Sequence, residues 1–136
     1  MSYLVDANVL CEATQPRPAA KVIAWLDRHD ASLNVSTLTL AEILKGIHLL
    51  TQGRKRRKLE AWFEELLESF TGRIVSFDEE ACRIWGAFYA KHQQKGRQLS
   101  SFDSLIAATA LAHGHTLVTR NTTHFPSDVP LVNPWE

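Results

Sequence analysis

Residues 3 to 8 read Tyr3-Leu4-Val5-Asp6-Ala7-Asn8, a short apolar run that stops at an acid. The run Tyr3-Leu4-Val5 is predicted to be a buried strand, because continuous apolar runs of this kind are typical of strands covered on both faces. Asp6 then falls at the carboxyl end of that strand, at the edge where open α/β sheets bind their ligands. The stretch therefore predicts an α/β fold and a candidate functional residue.

Two further acids, Glu42 and Asp103, stand where an apolar stretch gives way to a predicted helix. Because the carboxyl ends of parallel strands open on one edge of a sheet, these acids and Asp6 could share a single centre. Two unit charges about 4 Å apart repel by about 4 kcal/mol at an effective dielectric of 20, so such a cluster would require a cation. Carboxylate oxygens without cysteine or clustered histidine favour Mg²⁺ or Mn²⁺ over Zn²⁺.

Strand-like and helix-like patterns alternate along the rest of the chain. Strands are predicted at Leu33 to Ser36, Arg73 to Phe77, Thr116 to Thr119 and Val129 to Val132, the last at a sheet edge because it contains a proline. The apolar stripes on both sides of Gly53 predict a helical hairpin. The pattern predicts an α/β three-layer sandwich, in which helices cover both faces of a mostly parallel sheet of four to five strands. We expect one domain that spans residues 1–136.

Composition limits the partners of the chain. Fifteen basic and fifteen acidic side chains give a formal net charge of zero, so the whole molecule has no excess positive field to attract polyanions. The one dense basic run is Arg54-Lys55-Arg56-Arg57-Lys58, which could bind RNA or an acidic partner segment or could be a solvated helix start. Cys11 and Cys82 are too few for a disulfide framework, and we expect both thiols to be buried. No apolar run approaches the roughly 18 residues of a spanning helix, so we expect no membrane contact and a cytoplasmic location.

Four segments of the chain form an ordered set, namely Tyr3-Leu4-Val5-Asp6-Ala7-Asn8, Ser36-Thr37-Leu38-Thr39-Leu40-Ala41-Glu42-Ile43, Phe102-Asp103-Ser104-Leu105-Ile106-Ala107-Ala108 and Leu117-Val118-Thr119-Arg120-Asn121-Thr122-Thr123-His124-Phe125. Together they resemble the PIN-domain ribonucleases, specifically the VapC-like, FitB-type toxins of bacterial toxin-antitoxin pairs. The resemblance implies a PIN-like fold and a Mg²⁺ or Mn²⁺ centre held by Asp6, Glu42 and Asp103. It also implies hydrolysis of RNA by an activated water, a cognate VapB-like or FitA-like antitoxin, DNA contact only through that antitoxin, and a homodimer.

The same resemblance suggests roles for four polar residues. Asn121 joins the three acids as a candidate catalytic residue, and Arg120, Asn8 and Thr119 are candidate substrate-binding residues. Arg120 offers the forked donors that suit a phosphate. All four also have local alternatives, namely an ordinary exposed loop residue for Arg120, a helix cap for Asn8, a turn residue for Asn121 and a strand-face or outer donor for Thr119.

The chain departs from the family pattern in two places. Ala7 stands where a threonine is usual, so a hydroxyl that could orient the first carboxylate is missing. Asn121 and His124 stand where a fourth acid is often found. With one negative charge fewer, we expect one firmly held ion and weak binding of a second.

Two other functions compete with the nuclease. Acids in the first turn of a helix gain about 0.3 to 1 kcal/mol from the dipole, and Thr39 followed by Glu42 matches a capping box. On that alternative the chain is a non-catalytic RNA-binding or regulatory module. A Mg²⁺-dependent phosphatase would also place an acid after the first strand, but Asn8 stands where that chemistry needs a second acid. The ordered segments favour a metal-dependent endoribonuclease that acts as the toxin of a toxin-antitoxin pair.

Overall fold

Five parallel strands form the centre of the structure, a computed structural model that describes residues 1–136. They are β1 (Tyr3–Val5), β2 (Leu33–Ser36), β3 (Ile74–Val75), β4 (Thr116–Val118) and β5 (Leu131–Val132). Their order across the sheet is β3-β2-β1-β4-β5, and every neighbouring pair is parallel. The order reverses between β1 and β4, and a reversal of this kind opens a crevice outside the carboxyl ends of the two strands.

Six α-helices surround the sheet. They are α1 (Ala7–Leu10), α2 (Ala20–His29), α3 (Thr37–His48), α4 (Arg54–Ser69), α5 (Glu79–Gln94) and α6 (Ser101–His113), with short 3₁₀ turns at Cys11–Thr14, Asp30–Ser32 and Thr122–His124. The predicted alternation of strands and helices is confirmed. None of the helices combines the length and the apolar character that a membrane crossing needs.

Successive residues of β1 point to opposite faces of the sheet, and each face has its own apolar core. Tyr3 and Val5 pack into a core with residues of α1 to α4, whereas Leu4 packs into a second core with residues of α5 and α6. Because both faces are covered, every residue of the strand is apolar, as its sequence predicted. The first core also contains Ile47 of α3 and Phe63 of α4, which confirms the predicted helical hairpin.

Side-chain caps fix the points at which helices begin near the crevice. Asp6 caps α1, Ser36 caps α3 by accepting a hydrogen bond from Leu38 N at 3.0 Å, and Ser100 caps α6. Each cap satisfies a backbone N–H of the first helical turn that has no partner inside its helix. Strands β1 and β2 therefore pass directly into helices at the same edge of the sheet.

The observed β3 is shorter than the predicted strand from Arg73 to Phe77. It pairs only with Val35 and Ser36 of β2, and β2 ends there because Ser36 caps the next helix. Residues beyond Val75 therefore have no backbone partner on that side. The boundary of this edge strand is set by its neighbour, not by its own apolar pattern.

The expectation that both cysteines are buried is wrong. Cys82 is exposed on the solvent side of α5, next to the fully buried Ala81, and Cys11 is only half-buried. Both thiols are free. Cys82 lies outside the buried face of α5. Cys11 lies in a 3₁₀ turn and lines a groove next to α1.

Candidate metal centre

Asp6 is held in a fixed orientation at the carboxyl end of β1. Its side chain is only 4% exposed. The Oδ1 atom accepts a hydrogen bond from Ala7 N at 2.8 Å, and Oδ2 accepts one from the Thr119 hydroxyl at 2.9 Å. Each carboxylate oxygen has a second lone pair, so Asp6 keeps acceptor capacity toward the crevice.

Thr119 lies at the centre of the hydrogen bonds around Asp6. It follows β4, is fully buried, and its Oγ1 also accepts hydrogen bonds from Asn8 Nδ2 at 3.3 Å and Asn121 N at 3.1 Å. The hydroxyl that Ala7 cannot offer is thus supplied from the adjacent strand. Thr119 is therefore in position to orient Asp6, which matches the outer-donor alternative, and its contact with substrate stays a prediction.

Glu42 lies in the second turn of α3. No acid occupies the first turn of this helix, whose cap is Ser36, so the alternative capping box between Thr39 and Glu42 does not form. The Thr39 hydroxyl is instead buried without a hydrogen-bond partner. The side chain of Glu42 lines an open groove and is free to bind a ligand.

Asp103 lies in the first turn of α6, where the helix dipole favours a negative charge. Its side chain is 24% exposed, and its Oδ2 atom lies 3.7 Å from His124 Nδ1. His124 therefore faces this carboxylate from the 3₁₀ turn after β4. The sequence pointed to position 124 only as a place where an acid is missing.

The three carboxylates are close enough to perturb one another. Burial raises the pKa of Asp6, and the charge of Asp103 adds to this effect, against the hydrogen bonds from Thr119 and Ala7. Burial also raises the pKa of Glu42, and the charges of Asp6 and Asp103 raise it further. The three acids therefore act on one another at this edge of the sheet, and their shared binding of an ion stays a prediction.

The three carboxylates do not form a compact cluster. No three of the His, Cys, Asp and Glu side chains converge closely enough to form a ready set of ligands around one ion. The donors are nevertheless carboxylate oxygens, which are the ligands that hard divalent ions such as Mg²⁺ prefer.

Asn8, Arg120 and Asn121 form the wall of the site next to Asp6. Asn8 is not a helix cap, because it is the second residue of α1, and its Oδ1 accepts a hydrogen bond from Arg120 N at 3.2 Å. The exposed Arg120 guanidinium lies 4.8 Å from the centre of the Trp135 ring. Asn121 is exposed. Trp135 was not predicted as a site residue, because it lies 15 residues from Arg120 in a segment without a motif.

Two grooves meet the carboxylates. The first groove has a volume of about 1000 Å³ and lies between α1, α3 and α4; it is half apolar, and its lining includes Glu42, Ile47, Lys55, Lys58 and Trp62. The second groove has a volume of about 750 Å³ and lies between residues 97–100 and residues 123–127; its lining is mostly polar and includes Asp103. The two grooves share no lining residue.

The basic run at the start of α4 divides into two parts. Arg56 is used within the chain, since its guanidinium lies 2.8 Å from His48 Nδ1 and 3.3 Å from the carbonyl oxygen of Leu50. Lys55 and Lys58 instead line the first groove. Part of this cluster is therefore available to an anionic ligand, as one of the predicted alternatives requires.

Comparison with known proteins agrees with this geometry. Residues 3–126 match the family described as PIN domain. The chain is 38% identical to Toxin FitB of Neisseria gonorrhoeae, with 97% of each protein covered, and 33% identical to VapC ribonuclease Y4jK of Sinorhizobium fredii, with 98% of this chain and 97% of the relative covered. The solved structure of FitAB bound to an IR36 DNA fragment superposes with a TM-score of 0.91 at 36% identity, over 98% of this chain and 96% of that one. The chain belongs to the PIN-domain family.

Proposed function

We propose that this protein is a metal-dependent endoribonuclease and the toxin of a toxin-antitoxin pair. The observation that carries the proposal is the set of three mutually repelling carboxylates, Asp6, Glu42 and Asp103, at the crevice where the strand order reverses. A relative with 33% identity is named a VapC ribonuclease, and one with 38% identity is named a toxin. The proposed activity belongs to a single PIN-like domain of residues 1–136.

Each residue of the site has a distinct task in this proposal. Asp6, Glu42 and Asp103 hold a Mg²⁺ or Mn²⁺ ion, directly or through its waters, and Thr119 keeps Asp6 in its binding orientation. When bound, the ion would lower the pKa of a coordinated water and offset negative charge on the phosphate oxygens. Arg120 contacts a phosphate of the RNA with its forked donors. Asn121 offers its side chain amide to the substrate or to a water at the edge of the site.

A partner that fills the first groove would block the site. We propose that this partner is a FitA-like or VapB-like antitoxin, because the groove combines apolar walls with Lys55 and Lys58 and ends at Glu42. Its half-apolar lining is typical of surfaces that bind a protein segment. The FitAB structure is of a complex bound to DNA, and we propose that this chain meets DNA only through its antitoxin.

The proposal is tested by RNA cleavage with purified protein. Asp103→Asn should leave the fold unchanged by circular dichroism and lower the cleavage rate at least 100-fold, because an amide removes one negative donor from the ion. EDTA should abolish cleavage by the wild type. Glu60→Gln, on α4, where the half-buried Glu60 lies 3.8 Å from Arg56, is the matched control and should cleave like the wild type.

The alternative is a non-catalytic RNA-binding module, which the loose spacing of the carboxylates favours. It predicts that RNA binds equally well in EDTA and that neither wild type nor Asp103→Asn cleaves it. Growth arrest on expression separates the two functions in cells, since only the nuclease predicts arrest by wild type and normal growth with Asp103→Asn.

A further inference from the structure

We propose that the second groove binds the nucleotide next to the cleaved bond, so that the RNA strand continues past Asp103 and over Arg97. This inference rests on the proposed function and adds a binding subsite to it. The subsite would take a phosphate and a base of single-stranded RNA. Its two sides are residues 97–100, before α6, and residues 123–127, after β4.

The three carboxylates lie between the two grooves. Glu42 lines the first groove and Asp103 lines the second. The charge of Asp103 acts on Asp6, and the charges of Asp6 and Asp103 act on Glu42. A phosphate at the carboxylates would therefore have open space on two sides. An enzyme that cuts within a strand needs such space, because the chain must leave the site in both directions.

The second groove is lined by the kinds of side chain that contact RNA. Arg97 is an exposed cation, Ser100 and Thr123 carry hydroxyl groups, and Phe125 is half-buried. Arginine and hydroxyl groups are the usual contacts of phosphate and sugar, and single-stranded RNA is commonly held by stacking its bases on aromatic side chains. A volume of about 750 Å³ is also large enough for a small ligand.

The two sides of the groove are joined through one buried histidine. His92 is 2% exposed; its Nδ1 accepts a hydrogen bond from Arg97 Nη1 at 3.2 Å, and its Nε2 lies 3.2 Å from Asp128 Oδ1. Since Arg97 can only donate, His92 must carry its proton on Nε2 and donate it to Asp128. Lys91 Nζ also contacts Asp128, at 3.0 Å. The groove is thus held open before a ligand arrives, which lowers the entropy cost of binding.

The character of the lining favours RNA over a protein segment. Only two of the ten residues around the second groove are hydrophobic, against eight of sixteen around the first. An antitoxin segment would bury apolar side chains, and the second groove offers little surface for them. Binding of the antitoxin at this groove is therefore the alternative outcome of the test.

The test combines a variant with a series of RNA substrates that share one cleavage site and are shortened by one nucleotide at a time from either end. Arg97→Gln removes the charge and keeps an N–H donor for His92. We expect it to raise KM about 10-fold on the full-length substrate with little change in kcat, and to lose this effect once the substrate is shortened on one side. Lys95→Gln, an exposed cation of the same loop outside the groove, should behave like the wild type throughout.

A second variant changes a residue on the other side of the groove. Thr123→Glu should repel the same phosphate and show the same dependence on substrate length, although it leaves the contacts of His92 intact. Thermal unfolding confirms that both variants are folded. An equal effect of Arg97→Gln on every substrate, no effect on the longest one, or an effect only on inhibition by the antitoxin overturns the proposal.

Measurement of RNA binding distinguishes a failure of the subsite proposal from a failure of the proposed function. Fluorescence anisotropy with the Asp6→Asn variant, which should not cleave, measures affinity for the same RNA series. If no wild-type cleavage is found, the nuclease proposal fails. The subsite then still predicts that Arg97→Gln weakens binding of the longer RNA alone, and equal affinity for all lengths rejects it.

Discussion

Asp6 shows how neighbouring residues can compensate for a departure from the family pattern. The usual threonine is replaced by Ala7, yet Asp6 Oδ2 still accepts a hydroxyl hydrogen bond, from Thr119 at 2.9 Å. Residues that orient a metal ligand commonly change metal affinity or activity 10-fold to 100-fold when removed. In the proposed site, Thr119 therefore affects the bound ion through its hydrogen bond to Asp6.

Replacement of Thr119 tests this role. Thr119→Val keeps the shape and removes the hydroxyl, and we expect Mn²⁺ affinity and RNA cleavage to fall by about 10-fold or more. Thr119→Ser keeps the hydroxyl and should retain most of the activity. Calorimetric titration with Mn²⁺ and a cleavage assay provide the two readouts. Equal activity of the valine and serine variants would show that the hydrogen bond to Asp6 is not needed.

The raised pKa values of Asp6 and Glu42 predict how stability depends on pH in the absence of metal. Below their ordinary pKa values of 3.8 and 4.5 both groups are protonated in the folded and the unfolded chain, so they cost nothing. As pH rises above these values, the unfolded chain ionises both carboxylates while the folded protein, whose pKa values are higher, still keeps them neutral, so ionisation favours the unfolded state. Their contribution to stability is therefore lost with rising pH.

A comparison with uncharged residues isolates this contribution. The double variant Asp6→Asn, Glu42→Gln lacks the two titrating groups, so it should gain stability relative to the wild type as pH rises from about 4 to 7 in EDTA. Urea denaturation at a series of pH values measures the difference. A difference that does not change with pH would mean that the pKa values of the two carboxylates are not raised in the folded protein.

The turn after β4 and the C-terminal segment form one unit at the edge of the site. Asn8 holds the backbone of Arg120, and Trp135 lies under its guanidinium at 4.8 Å. Trp135 is itself oriented by a hydrogen bond from its backbone N to Asn133 Oδ1 at 2.9 Å. This unit limits the positions that the Arg120 cation can take next to Asp6.

Changes at Trp135 test whether the unit serves substrate binding. An exposed cation–π contact contributes about 0.5 to 1 kcal/mol, so Trp135→Leu should raise KM for RNA by about 2-fold to 5-fold with kcat nearly unchanged. Trp135→Phe retains an aromatic face and should restore much of the affinity. In an Arg120→Ala background the leucine change should have no further effect on KM. Independent effects of the two changes would show that Trp135 does not act through Arg120.

Single elements were predictable where local sequence decides them. The apolar run of β1 was predicted from its own residues. The caps Ser36 and Ser100 were not predicted, and the capping box considered at Thr39 does not form because α3 begins earlier. The end of β3 was not predicted either, because it is set by pairing with β2. The hydrogen bond between Thr119 and Asp6 and the link from His92 to Asp128 join residues 113 and 36 positions apart, and no local pattern encodes them.

At the level of the whole molecule, the sequence predicted the layers but not the order of the strands. Parallel pairing of Tyr3 with both Leu33 and Thr116 places β1 in the middle of the sheet. That order brings the carboxyl ends of β1, β2 and β4 together, with α6 alongside, and so gathers the three acids. The family resemblance predicted this outcome, although the pattern of apolar residues alone did not.

The spacing of the three acids has a consequence for the bound state. Because no three side chains form a ready set of ligands, binding of an ion should depend on all three carboxylates acting together and not on a preformed pair. Removal of any one of them should then weaken binding strongly. Removal of an acid elsewhere on the surface should not.

Titration with Mn²⁺, followed by electron paramagnetic resonance, tests the central claim most directly. The wild type should bind one Mn²⁺ firmly, and Asp6→Asn, Glu42→Gln and Asp103→Asn should each weaken that binding at least 10-fold while Glu60→Gln leaves it unchanged. The same affinity in the wild type and in all three site variants would contradict the claim that these carboxylates hold the ion.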